Sequence, residues 1–162
     1  MTTGGLTATG NSSLTLAGPN TISGGLTLTN TGNVTLNGGT TVNGNTTLSN
    51  TGTLVIGGTN TFNGNLTLAN PGVVSFAAPA VNGALTVNNG AVTITGTTSG
   101  LTALNVGSNA ALIVNPAAGT GPLPITLGGA RASLALGTSV STSSLSMPVD
   151  SGISIASGQT FE

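Results

Sequence analysis

Residues 14–76 read LTLAGPNTISGGLTLTNTGNVTLNGGTTVNGNTTLSNTGTLVIGGTNTFNGNLTLANPGVVSF. Laid against itself, this stretch repeats: Leu14-Thr15-Leu16 recurs as Val34-Thr35-Leu36, Leu54-Val55-Ile56 and Val74-Ser75-Phe76 at a constant step. Six positions after the second apolar residue of each unit comes a single further one: Ile22, Val42, Phe62. A second apolar-x-apolar pair follows, Leu26/Leu28 and Leu66/Leu68, with Thr46/Leu48 as a weaker copy. An apolar-polar-apolar triplet is a short strand with one face inward and one outward. A fixed period in the range of about 20–50 residues is the mark of a stacked repeat, and this one lies at the short end of that range.

The phase continues along the chain. A shorter unit carries Val81, Leu85 and Val87, and the next begins at Val92-Thr93-Ile94. Leu104/Val106 and Leu112-Ile113-Val114 follow, then Leu134-Ala135-Leu136 after a lengthened step and Ile153-Ser154-Ile155 after a shortened one. Gly32, Gly52 and Gly72 form one column and Gly24, Gly44, Gly64 and Gly83 another, placed where a turn would need positive φ. Asn-Gly pairs such as Asn43-Gly44, Asn63-Gly64 and Asn82-Gly83 support turns there. Asn30, Asn50 and Asn70 form a third column, able to hydrogen-bond up a stack as an amide ladder.

Helix competes poorly, because no 3.6-residue period is sustained and Gly, Asn and Thr are weak helix formers. An antiparallel hairpin array could use the same strands but has no reason to hold one phase in three columns. The sequence therefore predicts an all-β fold: a single-stranded parallel β-helix, or β-solenoid, of about eight coils of 18–22 residues. Residues 1–162 form one domain, with an N-terminal half-coil at 1–13, seven coils over 14–152 and a C-terminal half-coil at 153–162. At about 4.8 Å per coil the rod would be about 40 Å long.

Composition narrows the chemistry. The 162 residues hold one Lys/Arg and two Asp/Glu (Arg131, Asp150, Glu162) and no His, Cys, Trp or Tyr. That is 2% charged, against about 25% in an average domain. Without His or Cys, metal and cofactor sites built on them are excluded, as are Ser-His-Asp and Cys-His nucleophiles. Glycoside hydrolysis needs a pair of carboxyl groups, and Asp150 sits in a Pro148–Gly152 turn signal while Glu162 is the last residue. Arg131 reads as a solvated loop charge. One arginine cannot neutralise a phosphate backbone, so no nucleic-acid partner is expected. No apolar run is long enough to span a bilayer, so no membrane insertion is expected, and the N-terminus shows no secretory signal. We expect no enzyme, no catalytic residue, no metal and no cofactor.

The stretch Gly57-Gly58-Thr59-Asn60-Thr61-Phe62-Asn63-Gly64-Asn65-Leu66-Thr67-Leu68 resembles the passenger-associated repeat of bacterial autotransporters and related surface proteins. It matches that repeat's Gly-x-Asn-Thr-aromatic-x-Gly turn followed by a strand, and Leu36 to Leu48 is a weaker copy. The resemblance runs from about residue 14 to 72 and thins afterwards. It implies a right-handed β-helix exposed outside the cell as an adhesive or structural stalk, and our expectation is an extracellular location or a cell or virion surface. No membrane barrel is present, so that export route would apply to a longer parent chain.

The ends of the repeat suggest the function. Solenoids usually close their terminal coils with a polar or charged repeat, and neither end here has one. Counted from the first apolar residue of a coil as zero, Glu162 stops at position nine and Met1 starts at position seven, so the end fragments sum to about one coil. One reading is a head-to-tail homopolymer joined through Leu6, Ala8, Leu14, Leu16, Ile153, Ile155 and Phe161, the partner being the chain itself. The other is a piece of a longer exported adhesin or stalk, which would also leave half-coils. A further alternative is ice binding by outward Thr-x-Thr pairs, clear at Thr7/Thr9 and Thr27/Thr29 but decaying at Thr67/Ala69. The plainer account of these threonines is β-propensity, since Thr is favoured on a half-solvated strand. A glycan-binding platform lacks exposed aromatics, because Phe62 and Phe76 fall in inward columns and Phe161 matches Phe62.

Overall fold

In the computed structural model the chain is a stack of parallel strands with no helix among the described residues, which are 1–49, 52–116, 121–148 and 150–162. The chain climbs as a β-solenoid of about seven turns, each contributing to up to three ladders. The front ladder starts at Leu14–Ala17, Val34–Asn37 and Leu54–Gly57 and ends at Ser133–Leu136 and Gly152–Ile155. Its Cα partners are Leu14, Val34, Leu54, Val74, Val92, Leu112, Leu134 and Ile153, in that order. This is the register that the repeat predicts. The back ladder runs from Leu6–Gly10 and Leu26–Asn30 to Leu123–Leu127 and Thr142–Ser146. A shorter middle ladder links Thr2–Thr3, Asn20–Ile22, Thr40–Val42, Thr61–Phe62 and Ala80–Val81.

Because side chains alternate across a strand, every second residue enters the rod. Leu26, Leu28, Val34, Leu36, Val42, Phe62, Leu66, Leu68 and Phe76 are fully buried in one continuous core. The core is purely aliphatic and aromatic except at a few places. Thr46 stands between Leu26 and Leu66 in an inward column, and its Oγ1 is the one buried side-chain polar atom without a hydrogen-bond partner among the described residues. Asn20, Thr40 and Asn60 form a buried polar column at the start of the middle strands. Their needs are met locally: Asn20 Nδ2 donates to Gly18 O at 2.8 Å, Asn60 Nδ2 to Gly57 O at 2.9 Å, and Thr40 N–H to Asn60 Oδ1 at 3.0 Å.

The turns correct one reading of the sequence. Gly24, Gly44, Gly64, Gly83, Gly32 and Gly52 do not lie in the left-handed region. They are glycine because the corners stack backbone on backbone. A Cβ on Gly44 would lie 2.8 Å from the Gly24 carbonyl carbon, and one on Gly64 2.8 Å from that of Gly44. Positive φ falls instead on the column Gly18, Gly38 and Gly58, at 75°, 86° and 73°. The ladder expected at Asn30, Asn50 and Asn70 lies outside the described residues and side chains. An amide ladder is present in the neighbouring Asn-Gly column, where Asn63 Nδ2 donates to Asn43 Oδ1 and Asn82 Nδ2 to Asn63 Oδ1, both at 2.8 Å. Asn45 and Asn65 add a second set, each Oδ1 accepting a backbone N–H from the next coil.

Candidate functional site

Every interior layer of the stack is covered on both sides by a copy of its own pattern; the two outermost layers are covered on one side only. At the N-terminal end the strands Thr2–Thr3, Leu6–Gly10 and Leu14–Ala17 each pair on one edge. At the C-terminal end Thr142–Ser146 and Gly152–Ile155 do the same. An unpaired strand edge offers a row of backbone donors and acceptors to another strand.

The side chains at these edges belong to the inward columns. Leu6, Ala8, Leu14 and Leu16 are half-buried, whereas their partners Leu26, Leu28, Val34 and Leu36 are fully buried. At the far end Ile153, Ile155 and Phe161 are likewise half-buried, and Phe161 bridges Val140. The chain thus places the seven sequence-selected residues in two groups at opposite ends of the rod. Two residues that the sequence reading missed join the C-terminal group: Leu145, paired next to Ile125, is 43% exposed, and Met147 is 41% exposed. Their signal was the repeat itself, for they follow Ile125 and Leu127 by the same step that separates Leu14 from Val34.

The end fragments sum to slightly more than one coil. Thr3 pairs with Ile22, so the N-terminal end already carries a middle strand. Phe161 supplies the corresponding position at the other end. The middle position is therefore filled twice. Thr3 was hidden because it lies one residue nearer to Ile22 than the constant step of the early coils allows.

The charged side chains lie only towards the C-terminal end. Arg131 and Asp150 occupy one exposed corner column with Asn109, and these are the non-glycine residues with positive φ among the described residues (60°, 69° and 57°). The corners stack through the backbone, with Arg131 N–H donating to Asp150 O at 2.9 Å, and no ion pair joins the two side chains. Among the described residues no three acidic, His or Cys side chains cluster to hold a metal. Among the described residues no helix is long and apolar enough to cross a membrane.

The rod has two further outward features. On the back face Thr7, Thr27, Thr47, Thr67 and Thr86 stand in one unbroken register, continued by Asn105 and Thr126. On the front face of the last coils lies an open depression of about 390 Å³ between Ala111, Ile113, Ser133, Ala135, Gly152 and Ser154. Small residues there replace the threonines of the early coils and leave Ile113 49% exposed.

Comparison with protein-family models, with curated proteins and with solved structures gives no match.

Proposed function

We propose that the chain is a non-enzymatic structural β-solenoid that associates end to end as a subunit of an extracellular or surface fibre. One observation carries this reading: the terminal layers expose Leu6, Leu14 and Leu16 at one end and Leu145, Ile153 and Phe161 at the other, in columns that are otherwise buried. In the front and back ladders the two ends carry matching patterns. Every interior coil-on-coil contact joins an upper surface like one rod end to a lower surface like the other, with all strands parallel. A contact of this kind is heterologous and does not close, so it propagates as a filament. The resemblance of residues 57–68 to the passenger-associated repeat supports the extracellular setting.

Sedimentation velocity and electron microscopy of the purified 162-residue chain test the reading. Rods that lengthen with concentration, at constant width, are expected. Single short rods at every concentration would overturn it.

The unbroken threonine column on the back face favours a second reading, in which that face binds ice. The second outward column works against it, changing from Thr9 and Thr29 to Ser49 and Ala69. Thermal hysteresis at high protein concentration decides between the readings, and its absence removes this one.

A further inference from the structure

We infer that in the end-to-end joint the strand Thr2–Thr3 of the incoming copy is displaced by the C-terminal residues of the copy it joins, so that Thr2–Thr3 acts as a removable cap on elongation. This rests on the end-to-end reading above. Continuing each ladder across the joint sets Leu6–Gly10 beside Thr142–Ser146, with Leu6 against Leu145 and Ala8 near Met147. It also sets Leu14–Ala17 beside Gly152–Ile155, with Leu14 against Ile153 and Leu16 against Ile155.

The middle ladder does not fit this continuation. Phe161 stands one level beyond Val140 in the receiving copy, and Thr3 one level short of Ile22 in the incoming copy. Once the other two ladders are joined, these are the same level, and it holds one strand.

Phe161 is the better occupant. The interior members of that inward column, Ile22, Val42, Phe62 and Val81, are all fully buried, so the position rewards a large apolar side chain over a threonine. Its segment is also tied down. Val140 N–H donates to Thr160 O at 3.0 Å, Glu162 N–H to Val140 O at 3.1 Å, and Ser139 N–H to Gln159 Oε1 at 2.8 Å. Thr2–Thr3 is held by Thr21 N–H to Met1 O at 2.8 Å, Ser23 N–H to Thr3 O at 2.9 Å and, more weakly, the Met1 amine to Pro19 O at 3.3 Å. Gly4 and Gly5 follow it directly and give the backbone freedom to turn there, at the cost of the Gly24 N–H bond to Gly4 O.

The chain has no cysteine, so a disulfide can pin the cap without competing thiols. Thr2 and Thr21 are exposed Cα partners on adjacent parallel strands, which lie about 4.8 Å apart, within reach of a disulfide. Elongation of the Thr2→Cys/Thr21→Cys double variant is followed by light scattering, with and without reductant, beside a variant lacking residues 1–3. The oxidised protein is expected to lose elongation and the reduced protein to regain it, while the truncated chain elongates faster than the full chain. Equal elongation of the oxidised, reduced and truncated proteins overturns the cap and leaves end-to-end association standing. No elongation of the reduced, truncated and full chains overturns the end-to-end reading and the cap with it.

Discussion

The two halves of the rod build the same core by different means. From Leu14 through Val34 and Leu54 to Val74 the front ladder advances by one constant step; from Val74 through Val92, Leu112 and Leu134 to Ile153 the step varies. The early half repeats its corners residue for residue, so glycines stack on glycines and asparagines hydrogen-bond to asparagines. The later half varies its corners and uses Asn109, Arg131 and Asp150 in the left-handed conformation. Yet Leu112, Leu134 and Leu136 are as fully enclosed as Val34 and Leu54. The fold therefore requires inward columns and backbone ladders; identical corners are one way to reach them.

The strongest test of that difference introduces a charge into the inward columns of each half. Leu66→Asp and Leu134→Asp should each cost more than about 4 kcal/mol, since an unpaired carboxylate would replace a buried leucine. Ile56→Asp should behave in the same way. Thermal melts followed by circular dichroism measure this, and several coils should unfold together because neighbouring repeats stabilise one another. An unchanged melt of Leu134→Asp would confine the shared core to the early half.

Crowded and open glycine positions should differ. Gly44→Ala places a Cβ 2.8 Å from the Gly24 backbone and should cost about 1–3 kcal/mol. Gly121→Ala meets no neighbouring atom among the described residues and should stay within about 0.5 kcal/mol of the parent in chemical denaturation. An effect at Gly44 as small as that expected at Gly121 would mean that backbone stacking at the corners does not restrict residue type there.

Two smaller changes sharpen the account of the polar core positions. Asn60→Ala deprives the Thr40 N–H of its acceptor and should destabilise by about 1–3 kcal/mol. Thr46→Val removes the unpartnered buried hydroxyl and should stabilise by about 1 kcal/mol, seen as a higher denaturation midpoint.

The sequence reading succeeded where burial dictates residue type. Aliphatics on alternate residues, repeated coil after coil, allow one register, so the front ladder was legible to Ile153. It misassigned the glycines because close backbone approach and positive φ select the same residue, and only geometry tells Gly44 from Gly38. The amide ladder expected at Asn30, Asn50 and Asn70 lies outside the described residues and side chains, while a second column of the same phase, Asn43, Asn63 and Asn82, carries one. Leu145 and Met147 were missed because the uneven front-ladder steps to Leu134 and Ile153 obscure a back ladder that keeps the early step from Ile125 to Leu145. Asn20, Thr40 and Asn60 look like turn residues in sequence, yet they are buried with their hydrogen bonds satisfied.

The central claim is that the two rod ends cover one another. Hydrogen exchange of the backbone amides of Leu6–Gly10 and Thr142–Ser146, followed over a range of protein concentrations, tests it most directly. The account predicts that their protection rises with concentration towards that of Leu66–Phe76. Protection of the end strands that stays low and independent of concentration would contradict it.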